Sequence, residues 1–285
     1  MSLAPNDLAW VRDLVRSRAA IVIEDGKEYL VESRLGALAR SSGYDSLTSL
    51  VMAARTNRDV EARVIEAMTI NETSFFRDLH PFDGLRTTVM PDLLLSRART
   101  KTLRVWSAAS SSGQEPWSIA MLLHHEFPQL ATWDVKILAT DLSSAMVERS
   151  RLGVYSQLEV NRGLPANFML KYFDREGASF RIREELRRIV EFRAQNLVEP
   201  WPFQATRFDV VFIRNVLIYF DVPTKRAILE RIHRILAPDG YLFLGGSETT
   251  IQIHEGFERV QSGRAVWYRV LRPRGDSAPK VGGRT

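Results

Sequence analysis

Four clusters in this 285-residue chain bring together side chains with chemistry to offer. The first runs from Trp106 to Trp117 (WSAASSSGQEPW), where small residues let the backbone approach a ligand closely as a strand gives way to a helix. Its Glu115 falls in the first helical turn. The helix dipole stabilises a carboxylate there, and the same carboxylate can accept hydrogen bonds from a cationic amino-acid head group; taken alone, the plain helix-start acid is the stronger reading. The second cluster ends on Asp141, 28 positions after Gly113. An acid at the end of a second strand can accept both hydroxyls of a ribose. Helix capping is the alternative, but Ser143 and Ser144 are available for that task.

The third cluster, FDVVFIRNVLIYF at 208–220, is a buried strand that ends abruptly in Arg214 and Asn215 and leads to Tyr219, whose hydroxyl can sit near a reaction centre. Asn215 satisfying loop backbone is the alternative. The fourth, NETSFFR at 71–77, packs amide, hydroxyl, aromatic and guanidinium groups into seven residues. In isolation, a capped helix with two core phenylalanines is preferred there.

Elements of two kinds must position these groups. Residues 1–80 read as helices: Trp10, Val11, Leu14 and Val15 recur at helical spacing, as do Val31, Leu35 and Leu38, and then Val60, Val64, Ile65 and Met68. After the charged stretch 97–101, apolar runs alternate with helical patterns. Strands are expected at Leu103–Ala108, Val135–Ala139, Phe208–Ile213 and Tyr241–Leu244, with helices at 115–127, 144–152 and 224–236. Strands separated by helices imply a mainly parallel, helix-covered sheet. Residues 257–260 and 265–270 read as a closing antiparallel hairpin. Between Gly153 and Asn196 the alternation breaks, and Phe180, Ile182, Ile189, Val190 and Phe192, interleaved with arginines, imply a small β insert.

Composition narrows the classes. With no cysteine, disulfides, thiolate nucleophiles and Cys-based metal sites are excluded, and of five histidines only His124 and His125 are neighbours, so no metal site is expected. No run approaches the roughly 20 apolar residues of a membrane span. The N-terminus, punctuated by Asp7, Arg12 and Asp13, lacks a signal-peptide layout, so a cytoplasmic enzyme that is not an integral membrane protein is expected. The net charge of +5 is misleading, because residues 1–80 carry 10 basic against 12 acidic side chains and much of the excess sits in 270–285. That argues against a nucleic-acid partner. The lack of a G-x-G-x-x-G pattern argues against a nicotinamide enzyme.

Taken together and in order, these clusters resemble the chemotaxis-receptor glutamate methyltransferases, the CheR family. The resemblance rests on NETSFFR at 71–77, VWSAASSSGQEPWS at 105–118, ATDLS at 139–143, GVY at 153–155, FDVVFIRNVLIYF at 208–220 and GGSE at 245–248, and spans roughly residues 10–270. It implies an α/β fold: a Rossmann-like S-adenosylmethionine-dependent methyltransferase domain with a small antiparallel β subdomain insert, preceded by an all-α N-terminal domain. The bounds expected are 1–85 for the helical domain, 86–101 for a linker and 102–271 for the methyltransferase domain, with the insert at about 160–195 and a disordered tail at 272–285.

By the same resemblance, Asn71, Thr73 and Arg77 contact S-adenosylmethionine from the helical side, Glu115 meets its amino group and Asp141 holds its ribose. Asn196 and Leu197, with Arg214, Asn215 and Val216, form the adenine- and sulfur-side wall, and Tyr219 stands beside the transferred methyl group. A linker arginine, Arg97 or Arg99, is expected near the acceptor. The implied reaction esterifies glutamates on the cytoplasmic helical region of chemoreceptors and releases S-adenosylhomocysteine, by a protein working as a monomer. A glutamate with a reference pKa of about 4.3 is already ionised near neutrality, so no general base is needed. Two departures bear on the partner. The second helix carries only Arg34 and Arg40 where the family often has a dense basic face, and the insert around 174–179 is short, which implies independence from a receptor pentapeptide tether. A non-catalytic module sensing the cofactor or its product and a methyltransferase acting on a small molecule are the rival readings.

Overall fold

The computed structural model describes residues 3–271, so the segment 272–285 read as a disordered tail lies outside the described residues. Four helices open the chain: α1 (Pro5–Ala19), α2 (Glu28–Ser41), α3 (Leu47–Thr56) and α4 (Arg58–Met68). Local chemistry sets their ends. Ser46 and Ser49 form a reciprocal capping box before α3, and the Asn57 side chain accepts from the first turn of α4. Their apolar stripes close on one another through Val11, Val15, Val31, Leu35, Val51 and Val64, a core separate from that of the sheet.

The expected linker is instead helical. α5 (His80–Gly84) runs through a π-helical turn, Leu85–Val89, into α6 (Met90–Ser96). Phe82, Leu85, Val89, Met90 and Leu93 are buried against the sheet, so this segment is part of the second domain's core. Pro91 and the charged stretch 97–101 that follows mask its apolar spacing in the sequence.

The rest is β1 (Thr102–Ala108), α7 (Gln114–Glu126), β2 (Asp134–Asp141), α8 (Ser144–Leu152), β3 (Val154–Ser156), α9 (Gln157–Asn161), α10 (Ala166–Tyr172), β4 (Phe173–Glu176), β5 (Ser179–Ile182), α11 (Glu184–Arg187), β6 (Val190–Ala194), β7 (Phe208–Ile213), α12 (Val222–Ile235), β8 (Leu236–Leu244), β9 (Phe257–Ser262) and β10 (Ala265–Val270). The large sheet has the order β6-β2-β1-β7-β8-β10-β9. Its first five strands are parallel, and the expected hairpin β9–β10 closes it antiparallel to β8. Both faces are buried, as a parallel sheet requires. Val105, Ile137 and Phe212 face α7, while Trp106, Leu138 and Val211 face the side carrying α12.

The insert is smaller than expected. Only β3, β5 and β4 make the separate antiparallel sheet. Val190 and Phe192, read with the insert, belong to β6, which pairs parallel with β2 from Ile137↔Val190 to Asp141↔Ala194. The short strand's alternating Val-Glu-Phe-Arg pattern is that of an edge strand with one exposed face, and such a pattern does not say which sheet it joins. Among the described residues, no helix is long and apolar enough to cross a membrane.

Candidate active site

The strand order reverses between β1 and β7: from β1 the chain first moves to β2 on one side, then later to β7 on the other. A crevice must open there, beyond the carboxyl ends of the strands. A cleft does open at that point, with about 970 Å³ of non-protein space in it and its mouth.

The turn after β1 forms its floor. Ala109 and Ser111 adopt positive φ (54° and 50°) and Gly113 reaches 93°, which keeps the backbone turned towards the cleft. A Cβ on Gly113 would lie 2.8 Å from Ser150 Oγ, so only glycine fits. Asp141, at the end of β2, anchors this turn. Its Oδ2 accepts from Ser111 N–H at 2.7 Å and its Oδ1 from Ser143 N–H at 2.9 Å, while Ser143 Oγ caps α8. The capping serine thus leaves the aspartate facing the cleft. Burial pushes the Asp141 carboxyl above the usual range, against the two amide hydrogen bonds that favour its charge.

Glu115 lies on the opposite side of the turn. Its Oε1 accepts from Ser107 Oγ at 2.8 Å, and its Oε2 pairs with Arg214 Nη1 at 3.0 Å. Arg214 is committed elsewhere too: Nη2 donates to Asp78 Oδ2 at 2.7 Å and to the Arg77 carbonyl at 2.9 Å. This almost fully enclosed guanidinium therefore ties β7, α7 and the 71–78 segment into one frame.

That segment is where the two domains meet. Phe75 and Phe76 are core residues, as the plain reading had it, but of the sheet domain: Phe75 packs edge-on to Tyr155 at 5.0 Å, and Phe76 N–H donates to Ser118 Oγ. The helical domain therefore ends near Met68 rather than 85. Phe76, Asp78 and Leu79 all have positive φ, a concentration of strain expected where backbone is bent to serve a site. Asn71, Thr73 and Arg77 are turned to the cleft as a result.

The remaining expected groups also converge. Asn196 and Leu197 follow β6, and Asn215, Val216 and Tyr219 follow β7; all five line the cleft with Arg214, Glu115 and Asp141. Burial raises the Tyr219 hydroxyl pKa, and the positive charges of Arg77 and Arg34 act against that rise.

Arg97 and Arg99 do not reach this site, which corrects the expectation of an acceptor-side arginine from the linker. Arg97 Nε donates to Asp209 Oδ1 at 2.8 Å and its Nη groups to Asp239, at the amino-terminal end of β7 and so at the opposite edge of the sheet. Arg99 is exposed in the turn before β1, on the same wrong edge. The family resemblance made them candidates as linker arginines; the helical packing of 80–96 carries them away.

Several lining residues carried no chemical signal in the sequence. Ala19 and Ile21 at the end of α1, with Met68, Thr69 and Ile70 after α4, roof the cleft. They are apolar or small residues at helix ends, and helical periodicity marks them only as core. Ser110 is different: the residue lines the cleft, and its buried hydroxyl has no partner among the described residues. The run of serines at 110–112 was the available signal.

The donor and acceptor set suits S-adenosylmethionine. Two carboxylates on opposite sides of a close-approach turn match a cationic amino acid and a ribose, and Leu197, Val216 and Ile21 offer an apolar wall for a base. Among the described residues, no group of three or more His, Asp or Glu side chains is arranged to hold a metal ion.

Comparison with known proteins agrees with this geometry. The SAM-binding domain of the CheR methyltransferases matches residues 71–266, and their all-α domain matches residues 6–69, placing the boundary where the packing does. Chemotaxis protein methyltransferase 1 of Pseudomonas aeruginosa is 41% identical over 94% of this chain and 99% of its own length. Chemotaxis protein methyltransferase Cher2 of Pseudomonas putida is 38% identical over the same shares. The chemotaxis protein methyltransferase of Vibrio parahaemolyticus is 38% identical over 90% of this chain and 94% of its own. Joined to a cleft built from both matched domains, these matches identify the chain as a member of the CheR family of S-adenosylmethionine-binding chemotaxis methyltransferases.

Proposed function

We propose that this protein methylates glutamate side chains on the cytoplasmic helical region of chemoreceptors, forming methyl esters. The observation that carries the reading is the convergence of Asp141, Glu115, Asn215 and Tyr219 on one cleft with Arg77, and no histidine, lining it beside them. Bound S-adenosylmethionine supplies a methyl group made electrophilic by its sulfonium. Asp141 holds the ribose hydroxyls and Glu115 the ammonium, which fixes where the methyl group points. Asn71 and Thr73 close the helical side, and Asn196, Leu197 and Val216 enclose the base and sulfur. Tyr219 orients the reacting groups at the mouth.

Arg77 takes the role expected of a linker arginine. It is the cleft-lining guanidinium whose charge acts on Tyr219, and among the described residues its side chain donates only to the Glu72 carbonyl, leaving it capacity to orient a carboxylate. A glutamate acceptor arrives ionised, so catalysis consists of aligning oxygen, carbon and sulfur and excluding water. The helical domain's roof supplies the exclusion.

Incubation with cofactor and a receptor cytoplasmic fragment, followed by peptide mass mapping, tests the reading. A methyl increment on glutamate side chains is expected; modification confined to other residue types, or to small molecules alone, would overturn it. The partner also docks without a pentapeptide tether, a reading supported by the four-residue strands β4 and β5 and the tight turn at Gly177 between them. Calorimetry with a receptor-tail peptide should show no tight binding, and a nanomolar or low-micromolar isotherm would refute that part.

A further inference from the structure

The loop after β7 delivers Asn215, Val216 and Tyr219 to the cleft, yet its only regular element is the 3-10 turn Leu217–Tyr219. Asn215 is held at φ 59°, in the left-handed region that asparagine tolerates better than most residues with a Cβ. What fixes it is a carboxylate. Glu248 Oε2 accepts from Asn215 N–H at 2.8 Å and from Gly245 N–H at 2.6 Å. Its Oε1 accepts from Val216 N–H at 2.9 Å and, more loosely, from Ile218 N–H at 3.3 Å. Four backbone donors from two loops thus close on one anion, each bond strengthened by the charge.

The space around this anion is as specific as its bonding. A Cβ at Gly245 would meet Glu248 Oε2 at 2.7 Å and both Asn215 nitrogens at 2.9 Å, so glycine lets the loops after β7 and β8 approach. Glu248 itself does not line the cleft. It acts through the loop, at the end opposite to the Val22 N–H that donates to the Tyr219 carbonyl.

We infer that Glu248 is a positioning residue for methyl transfer, locking the Asn215–Tyr219 loop in the geometry that presents Asn215 and Val216 to the cofactor and Tyr219 to the reacting groups. This gives the GGSE segment at 245–248 a task, and it rests on the reading of Tyr219 above. Glu248→Gln keeps the shape but turns an amide N–H₂ towards backbone donors, so it breaks the lock without opening a cavity.

Two readouts test it. In calorimetry without acceptor, E248Q should bind S-adenosylhomocysteine about tenfold more weakly, with Glu248→Asp recovering part of the loss. In steady-state transfer to a receptor fragment, E248Q should lower kcat at least about tenfold. Added to Tyr219→Phe it should cost less than about threefold more, because both changes act through one hydroxyl. Unchanged product affinity with only a lowered Tm, or losses that multiply independently, would overturn the inference. If E248Q does not fold, Gly245→Ala displaces the same carboxylate and carries the same expectations. Absence of receptor transfer by the wild-type protein would refute the proposed acceptor instead, and the binding arm would still decide the role of Glu248.

Discussion

Asp141 shows how a residue can be both committed and available. Two amide N–H groups orient its oxygens, and each oxygen retains capacity for one hydroxyl of a ribose. Asp141→Ala should therefore weaken S-adenosylhomocysteine binding about 30-fold, roughly 2 kcal/mol for a charged double acceptor, with a smaller effect on kcat at saturating cofactor. Tyr219→Phe should show the converse, with kcat down tenfold or more and product affinity nearly unchanged. Burial also fixes a pH dependence. A carboxyl whose pKa is raised takes up its proton at higher pH than an ordinary aspartate, near 3.9, and once protonated it accepts the two hydroxyls less well. Product affinity should thus fall on acidification before an unperturbed aspartate would titrate, and Asp141→Asn should flatten that fall. Calorimetry across the acid range checks both. At this scale the sequence was informative, because side-chain type and placement after a strand already narrow what Glu115, Asp141 and Tyr219 can do. Ala19 and Ile21 were not legible, since an apolar side chain reads the same in a core and on a cofactor wall.

Among the elements, β7 is the one on which most depends. Its amino end is pinned by Asp209, which accepts from Arg104 N–H and Arg97 Nε, and its carboxyl end presents Arg214 and Asn215 to the cleft. Removing the arginine leaves a largely buried carboxylate short of its counter-ion. Arg97→Ala should cost about 3 kcal/mol of stability, seen as a lower urea midpoint, while product affinity stays within about twofold of wild type. A large loss of kcat with intact stability would restore Arg97 to the acceptor site. The main strands and helices were legible because β7 carries the apolar run Val210–Ile213 and α12 is periodic. The insert boundary and the linker were not, because an edge strand such as β6 and a helix containing Pro91 carry weak local signals, and tertiary packing decides them.

For the whole molecule, the decisive feature is that neither domain contains the cleft by itself. The helical domain touches the rim at spaced points. Asn196 Nδ2 donates to the Arg18 carbonyl at 2.6 Å, Ser144 N–H donates to Glu66 Oε1 at 2.6 Å, and Val22 N–H reaches the Tyr219 carbonyl. These bonds hold a roof rather than a core, so breaking them should affect the ligand more than the fold. Glu66→Ala, which removes the Ser144 contact without changing a cleft-lining residue, should release product several-fold faster in stopped-flow measurements with Tm changed by only a few degrees. The sequence implied a two-domain site only through its resemblance to a family, since no local pattern says which face of α1 or α4 will cover another domain.

The most direct test of the central claim, transfer from S-adenosylmethionine to a carboxylate, is the alkali lability of the product. The protein is incubated with methyl-labelled cofactor and receptor cytoplasmic fragments, and the labelled protein is then exposed to mild base. Volatile label, released as methanol and nearly abolished in Tyr219→Phe, is the predicted result. Protein-bound label that survives base would contradict it, because nitrogen and carbon methylation are stable where a glutamyl ester is not.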